Sequence, residues 1–383
     1  MAKRQNIFNT VGVGFLITIC IVGTVLVINR TNNKDLFQAT EKLPTPIIFY
    51  LDNSIIHFMC LETSRCFGDV DLGNEIKEAN NLVEHPLSLI SAYHGRDSKL
   101  YLHLSGSIWN YLVRVDLITN QVQTLDLNDP SLFDSAFPHF LPGIGRLIHG
   151  KVVIATTTGK IGIVHDDFSL KVIDLKAPVF DFIQASDSKI AVVSADSRLL
   201  KGKKQVKIFL IDVDSSEFEE KTFDGPRADD SILITTDEDI KNLYWVSSNM
   251  SLSENVLHVL DIQSQKEILS ASISNVDALA YTTLTSPRYQ YQGMWYYNRR
   301  CCLEGPAPAI MMDMSTLKPV IYPGELLKNE ADGTFIVSPF GDNFLIGTNS
   351  RVLVISPNGT TLKTYPLPEE WIGRDYSLLE YRK

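Results

Sequence analysis

The chain has 383 residues, of which 44% are hydrophobic and 21% charged, and its formal net charge is −10. These proportions are typical of a globular protein with a large core and argue against broad disorder. The acidic balance argues against nucleic acid as the main partner, because phosphate binding requires a basic surface.

Residues 11–28 form an apolar segment of 18 residues without a charged side chain. As a helix it would be roughly 27 Å long, close to the ~30 Å hydrocarbon core of a bilayer. No small-residue cleavage site precedes residue 29, and Ile19 rather than a small residue precedes Cys20, so cleaved signals are disfavoured. We predict an uncleaved transmembrane helix (a signal-anchor) at 11–28, after an N-terminal tail at 1–10 and before a polar linker at 29–45.

The orientation of this segment is inferred from the flanking charges and from the size of the domain that follows it. Lys3 and Arg4 precede it, and Arg30 and Lys34 follow it, so the positive-inside count is almost balanced. A short tail before one large domain favours an orientation with the tail on the cytoplasmic side of the membrane and the domain on the opposite side. The expected localisation is therefore a single-pass membrane protein with an extracytoplasmic domain.

A short pattern recurs along the rest of the chain. A run of alternating apolar and polar residues ends in a polar, mostly acidic residue, which we term the mark of the unit. A second alternating run follows after a tight turn, as in residues 111–127 (YLVRVDLITNQVQTLDL). Seven such marks occur, 43 to 54 residues apart: Glu62, Asp116, Asp166, Asp212, Asp261, Asp313 and Ser356. A carboxylate at a strand end is expected to accept hydrogen bonds from the following turn, which favours a structural role over catalysis.

Each mark is preceded by another short strand, and most units begin with a further apolar stretch, so the unit has four strands. The first unit lacks its leading strand, whereas residues 375–383 add one strand after the last unit. A closed ring in which this last segment supplies the innermost strand of the first unit fits both facts. The units resemble the WD-like and quinoprotein-like blades of the β-propeller repeat superfamily. This resemblance implies an all-β, seven-bladed β-propeller over residues 46–383 and carries no active-site residues across.

The connections between strands differ in length on the two faces of such a ring. With strands A to D counted from the innermost outwards, D-to-A and B-to-C connections emerge on one face, where we expect the longest ones. The exception is residues 286–293, which we interpret as a longer A-to-B turn. Aromatic and arginine side chains on the first face are candidates for partner binding. They are Trp109, Phe133, Phe137, His139, Phe140, Arg299, Arg300 and Trp371. The phenylalanines could instead fix their loop onto the ring, and both interpretations remain open.

The spacing of the cysteines does not match that of a zinc site. Cys60 and Cys66 flank a turn between two predicted strands, so a disulfide is geometrically possible in an exported domain. Cys301 and Cys302 are adjacent, and we expect free thiols because a vicinal disulfide strains the backbone. Glycosylation sequons occur at Asn29, Asn249 and Asn358.

No P-loop, catalytic triad motif or metal-ligand spacing is found. We therefore predict a non-catalytic, membrane-tethered propeller without cofactor or metal, acting as a protein-interaction or scaffold module or as an accessory subunit of a membrane complex. Its partners would be other proteins and, through residues 11–28, the membrane. The alternative is a propeller hydrolase or lyase with a site at the central channel. Its candidate residues are Asp181, Asp277 and Glu380 on innermost strands and His149 near a strand end.

Overall fold

A computed structural model of the chain describes most of the strands and tight turns. The described residues are 46–52, 55–62, 67–72, 88–94, 99–105, 110–116, 119, 121–129, 133, 146–148, 150–186, 188–196, 199–200, 205–225, 231–249, 254–274, 277, 288–297, 309–321, 335–374 and 376–380.

The strands pair into antiparallel four-stranded blades in chain order. Blade 1 contains β1 (Ile47–Asp52), β2 (Ile55–Cys60) and β3 (Phe67–Asp71). Blade 2 contains β4 (Ser88–His94), β5 (Lys99–Ser105), β6 (Asn110–Asp116) and β7 (Val122–Asp126). Blade 3 contains β8 (Arg146–Ile148), β9 (Lys151–Ala155), β10 (Lys160–Val164) and β11 (Leu170–Asp174). Blade 4 contains β12 (Val179–Ser186), β13 (Lys189–Ala195), the short β14 (Leu199–Leu200), β15 (Gln205–Asp212) and β16 (Phe218–Asp224).

The remaining blades repeat this order, and β14 pairs with the innermost strand of blade 5. Blade 5 contains β17 (Ser231–Thr236), β18 (Asn242–Asn249), β19 (Glu254–Asp261) and β20 (Lys266–Ile273). Blade 6 contains β21 (Arg288–Tyr291), β22 (Met294–Tyr297), β23 (Met311–Asp313) and β24 (Lys318–Ile321). Blade 7 contains β25 (Phe335–Phe340), β26 (Asn343–Thr348), β27 (Arg351–Ile355) and β28 (Thr361–Pro366). A 3-10 turn at Glu369–Trp371 then leads to β29 (Tyr376–Glu380).

The last strand closes the ring by completing blade 1. β29 pairs antiparallel with β1, with Ile48 opposite Leu378, and its other edge meets β4 of blade 2 in parallel. The prediction of an all-β, seven-bladed propeller closed by the C-terminal strand is thereby confirmed. Closure of this kind protects backbone edges that an open sheet of this size would expose.

The hydrophobic core is divided among the interfaces between neighbouring blades, and each of the seven interfaces has one cluster of buried side chains. Successive side chains of one strand point to opposite faces of the sheet, so alternate residues pack against the two neighbouring blades. On β18, Leu243 and Trp245 face blade 4, whereas Tyr244 and Val246 face blade 6. Because both sheet faces are buried, these strands are almost continuously apolar.

Side chains near the chain closure reinforce the contact between blades 7 and 1. The hydroxyl of Tyr376 donates a hydrogen bond to the carbonyl oxygen of Thr348 at 2.6 Å. Farther out, the Glu62 carboxylate accepts hydrogen bonds from Lys363 Nζ at 2.8 Å and from the Tyr365 hydroxyl at 2.5 Å. The ring is therefore closed by the pairing of β29 with β1, together with the hydrogen bonds of Tyr376 and of Glu62 to blade 7.

One sequence-based assignment in blade 6 is wrong. Residues 286–293 were expected to be a turn, but Arg288–Tyr291 form β21, the innermost described strand of that blade. The turn consists only of Gln292 and Gly293, both of which have positive φ (49° and 72°), as a two-residue hairpin turn requires. The apolar stretch at residues 278–284, which precedes this strand in the sequence, lies outside the described residues.

The predicted membrane anchor is not tested by the fold. Residues 1–45, which contain the expected tail, helix and linker, lie outside the described residues. In the part of the chain that the structure describes, no helix combines the length and hydrophobicity needed to span a bilayer.

Candidate functional site

The strand bounds define two faces of the ring that differ in the length of their connections. On the face that carries the A-to-B and C-to-D turns, no connection exceeds the six residues of 61–66; we term it the short-turn face. The opposite face, termed the long-loop face, is the one where the strand ends joined by the long connections lie; these connections are residues 72–87, 127–145, 274–287, 298–310 and 322–334. The ring therefore offers two surfaces of different character.

The acidic marks of the repeat are turn caps in most blades. The carboxylates of Asp116, Asp212, Asp261 and Asp313 each accept a hydrogen bond from a backbone N–H two or three residues later, at 2.6–3.0 Å. In blade 3 the neighbouring Asp167 takes this role instead of Asp166. Hydrogen bonds from Ser264 lower the pKa of Asp261, so this cap remains ionised well into the acidic range. The structural role expected for these four carboxylates is confirmed.

Two of the predicted partner-binding residues are described, and both are buried. Phe133 is 3% exposed and packs between blades 2 and 3 against Tyr101 and Val152. Trp371 is 4% exposed and meets the ring of Tyr50 edge-on at 4.5 Å. Neither ring is available to a partner at the surface, and Phe133 fixes its connection onto the ring. The other predicted residues lie outside the described part: Trp109, Phe137, His139, Phe140, Arg299 and Arg300.

The two candidates for a channel site that the structure describes, Asp181 and Asp277, each accept a hydrogen bond from a backbone N–H group. Asp181 follows a bulge in β12, and its Oδ1 accepts the N–H of Phe182 at 3.0 Å. Asp277 does not lie in a described innermost strand; it accepts the N–H of Ala309 at 2.8 Å and the hydroxyl of Ser274 at 2.7 Å. Asp277 thus joins two connections of the long-loop face. His149 and the side chain of Glu380 lie outside the described residues.

A hydrogen-bonded array in blade 5 was not expected from the sequence. Ser247 Oγ lies 2.6 Å from His258 Nε2, and His258 Nδ1 lies 3.0 Å from Glu267 Oε2. This order of groups is that of a serine nucleophile, its base and an orienting acid. However, β18 is paired on both sides, so the N–H groups around Ser247 are engaged in the sheet and offer no oxyanion site. The Trp245 indole also stacks on the imidazole at 4.8 Å, which blocks one side of it.

The cysteine and sequon predictions are only partly covered by the structure. Cys60 is disulfide-bonded. Cys66, Cys301 and Cys302 lie outside the described residues, so the Cys60–Cys66 pairing remains a prediction. Asn358 is an exposed turn residue whose Oδ1 accepts the N–H of Thr360 at 3.1 Å.

A cavity of about 690 Å³ opens on the short-turn face, and we term it the acidic pocket. It is formed by the A-to-B turns of blades 5 and 6 together with the C-to-D turns of blades 6 and 7. Its lining includes four carboxylates and no lysine, arginine or histidine among the described residues. The carboxylates are those of Asp237, Glu238, Asp239 and Asp313. The size is within the usual range for small-molecule sites.

Two of these carboxylates are held in place by turn hydrogen bonds. Asp237 accepts the N–H of Lys241 at 2.7 Å and the side-chain amide of Asn242 at 2.6 Å. For Asp313, burial opposes ionisation, but hydrogen bonds from Ser315 and Thr316 outweigh it and lower the pKa of the carboxyl group. Asp313 is therefore negatively charged at neutral pH. In the same turn as Asp237, the ammonium of Lys241 pairs with Asp239 at 2.6 Å and offsets part of the negative charge.

The wall and floor of the acidic pocket combine apolar and neutral polar groups. Burial, and then the charges of Asp237 and Asp313, raise the pKa of Tyr244 far above its usual range, so its hydroxyl remains neutral. Met294 and Met314 supply apolar surface. Gln290 on β21 is 5% exposed, and its side-chain oxygen is buried and has no hydrogen-bond partner among the described residues.

Comparisons with known proteins find only distant similarities to solved structures. No protein-family model and no curated protein matches the chain. Among solved structures, TolB from Acinetobacter baumannii matches at 12% identity over 91% of this chain and 70% of that chain, with a TM-score of 0.37. The Neurospora crassa Pan2 WD40 domain matches at 11% identity, over 79% and 81% of the two chains, with a TM-score of 0.37. Dihydro-heme d1 dehydrogenase NirN in complex with DHE matches at 10% identity, over 88% and 67%, with a TM-score of 0.39. At these identities and scores no functional argument follows from them.

Proposed function

We propose that this chain is a non-catalytic protein-interaction module that docks a partner on the long-loop face. In this proposal residues 11–28 tether it to a membrane, and the propeller lies on the extracytoplasmic side as an accessory subunit of a membrane complex. The observation that carries the docking role is the concentration of long connections on one face of a closed ring of blades. Binding residues are usually found on loops that a rigid scaffold positions.

The scaffold supports this role through its packing. Phe133 is anchored between blades 2 and 3, so the connection at residues 127–145 is attached to the ring near its start. Asp277 links two other connections on the same face through the N–H of Ala309. A surface whose loops are tied to the ring loses less conformational entropy when a partner binds.

The described channel carboxylates favour interaction over catalysis. An acid–base pair would need two carboxyl groups that share a site and have displaced pKa values. Asp181 is instead bonded to its own strand, and Asp277 belongs to the long-loop face. The tether is supported by the sequence alone, as 18 uncharged apolar residues before a polar linker.

The test is a pull-down of the full-length chain from native membranes solubilised in a mild detergent. We expect a stoichiometric protein partner that is lost when Arg299 and Arg300 are both replaced by Ala. The matched control replaces two exposed lysines of the short-turn face, Lys189 and Lys266, and should retain the partner. Recovery of the chain alone, or loss of the partner only in the control, would refute docking on the long-loop face.

A further inference from the structure

Three of the exposed large hydrophobic side chains occupy the same position in their blades. Among the described residues, Phe218, Ile268 and Leu362 have 47%, 57% and 56% of their surface accessible. Each lies within the first three residues of the outermost strand of its blade, in blades 4, 5 and 7. Because these strands begin directly after the C-to-D turns, all three side chains lie at the rim of the short-turn face.

Two of these side chains are exposed at β-bulges. In blade 5 the strand register shifts between Val259 and Leu260, which makes Ile268 of the outermost strand the extra residue. In blade 7 a shift of the same kind makes Leu362 the extra residue. A bulge changes the direction of a side chain and is a specific structural feature. Its recurrence with an exposed aliphatic residue at the same place in two blades indicates a surface rather than scattered apolar residues.

The chain enters the propeller on this same face. β1 begins at Ile47, which lies opposite Cys60, the residue directly before the connection at 61–66 on the short-turn face. The carbonyl oxygen of Pro46 accepts a hydrogen bond from the N–H of Leu61 at 2.8 Å, which fixes the entry point. The proposed linker, which ends at residue 45, is therefore joined to the short-turn face.

The length of the proposed linker favours the short-turn face as the one nearest the membrane. The linker comprises residues 29–45, and a random chain of that length spans about 20–25 Å. The ring is about 20 Å thick, because β1 has six residues that rise ~3.3 Å each. To turn the long-loop face towards the bilayer, the linker would first have to pass the whole thickness of the ring.

We propose that the rim of the short-turn face rests on the surface of a lipid bilayer, with Phe218, Ile268 and Leu362 inserted among the headgroups and the long-loop face directed away from the membrane. This orientation rests on the tether of the proposed function. Because the tether keeps the domain close to the bilayer, three apolar side chains are sufficient for a contact that an untethered domain would not maintain. The contact is apolar rather than electrostatic, since the four carboxylates of the acidic pocket lie on the same face and oppose attraction to anionic lipid.

The test uses the full-length chain reconstituted in phosphatidylcholine vesicles. The photoreactive residue p-benzoylphenylalanine replaces Ile268, Leu362 or Ile372, one at a time, and lipid adducts are measured by mass spectrometry after irradiation. Ile372 is the matched control, because it is 52% exposed but lies in the connection between β28 and β29 on the long-loop face. Because apolar side chains at an interface insert into the lipid, adducts at positions 268 and 362 should be about tenfold more abundant than at 372.

Ile268→Ser combined with Leu362→Ser tests whether the three side chains act on one surface. With p-benzoylphenylalanine in place of Phe218, this pair should lower the yield of lipid adducts about tenfold, because binding to an interface scales with the apolar area inserted. Ile372→Ser should leave the yield unchanged. The substituted side chains are exposed, so the free energy of unfolding in urea should be retained in all variants.

An alkaline carbonate wash of the vesicles distinguishes a failure of the orientation from a failure of the tether. Release of the chain would refute the membrane tether and the orientation with it. Retention of the chain with equal adducts at positions 268, 362 and 372, with most adducts at 372, or with none at any position would overturn the orientation alone. Adducts that form only after phosphatidylserine is added would also overturn it, because the contact would then be electrostatic.

Discussion

Tyr376, on the last strand, donates a hydrogen bond at 2.6 Å to the carbonyl oxygen of Thr348 in blade 7, so the residue that closes blade 1 is also bonded to the preceding blade. Its ring lies over Gly347, where an added Cβ would approach the Tyr376 hydroxyl to 2.5 Å. The small residue at 347 is therefore what allows the closing strand to come so near.

Tyr376→Phe should lower the free energy of unfolding by about 1 kcal/mol, because one buried hydrogen bond is lost while packing is retained. The matched control is Tyr291→Phe, which removes a similar bond to the carbonyl oxygen of Gly341 between blades 6 and 7. Urea unfolding of both variants checks the size of the effect. Limited proteolysis should show faster release of the C-terminal strand only in Tyr376→Phe; equal protection would contradict a closing role.

The Glu62 contact should make stability depend on acid pH. Hydrogen bonds from Lys363 and then from Tyr365 lower the pKa of Glu62 in the folded state. The contact therefore stabilises the fold above the carboxyl group's unfolded pKa, and this contribution is lost as pH falls through the folded value. Glu62→Gln should thus be less stable than wild type near neutral pH and converge with it in acid. A stability gap that stays constant with pH would show that the Glu62 charge is irrelevant.

Gly162→Ala should destabilise the protein by about 1–3 kcal/mol, because there is no room for a methyl group on β10. The added Cβ would lie 2.9 Å from Leu170 Cδ1 and 3.3 Å from a ring carbon of Phe133. Combining it with Phe133→Leu should cost less than the sum of the two single changes, because the smaller side chain relieves the contact at residue 133, although the one with Leu170 remains. Simple additivity in thermal or urea unfolding would mean that Phe133 does not pack on this glycine.

Ser247→Ala should cost about 1 kcal/mol of stability, since it removes one hydrogen bond from the Ser247–His258–Glu267 array. A fluorophosphonate probe should leave wild-type Ser247 unlabelled, because the surrounding backbone N–H groups are engaged in the sheet. Covalent labelling that disappears in Ser247→Ala would instead establish a nucleophile and revive the hydrolase alternative at a different place in the ring.

The blade pattern could be predicted from the sequence because most repeats end a buried strand with a carboxylate that accepts hydrogen bonds from the backbone of the following turn. Asp116 and Asp261 illustrate this, since each bonds the backbone of its own turn. Blade 6 was misassigned because Ser286, Pro287 and Gly293 bracket a short strand with residues that favour turns. Strand pairing with β22 overrides that local preference.

The acidic pocket was not accessible from the sequence, because three blades contribute to it. Asp237, Gln290 and Asn358 each look like ordinary polar residues of separate hairpins. Phe133 shows a related limit: an aromatic residue in a long connection suits a partner or the core equally well, and only packing against Val152 distinguishes them.

The pairing of β1 with β29 also sets an order of events during protein synthesis. β1 is among the first parts of the propeller to leave the ribosome, and the strand that covers its inner edge is the last of the ring to be made. At a synthesis rate of ~5–20 residues per second, that edge stays unpaired for on the order of tens of seconds. Throughout this interval Ile47, Ile48 and Phe49 present apolar side chains beside an unpaired backbone. Nascent chains of this protein should therefore need the help of folding factors from the emergence of β1 until the arrival of β29.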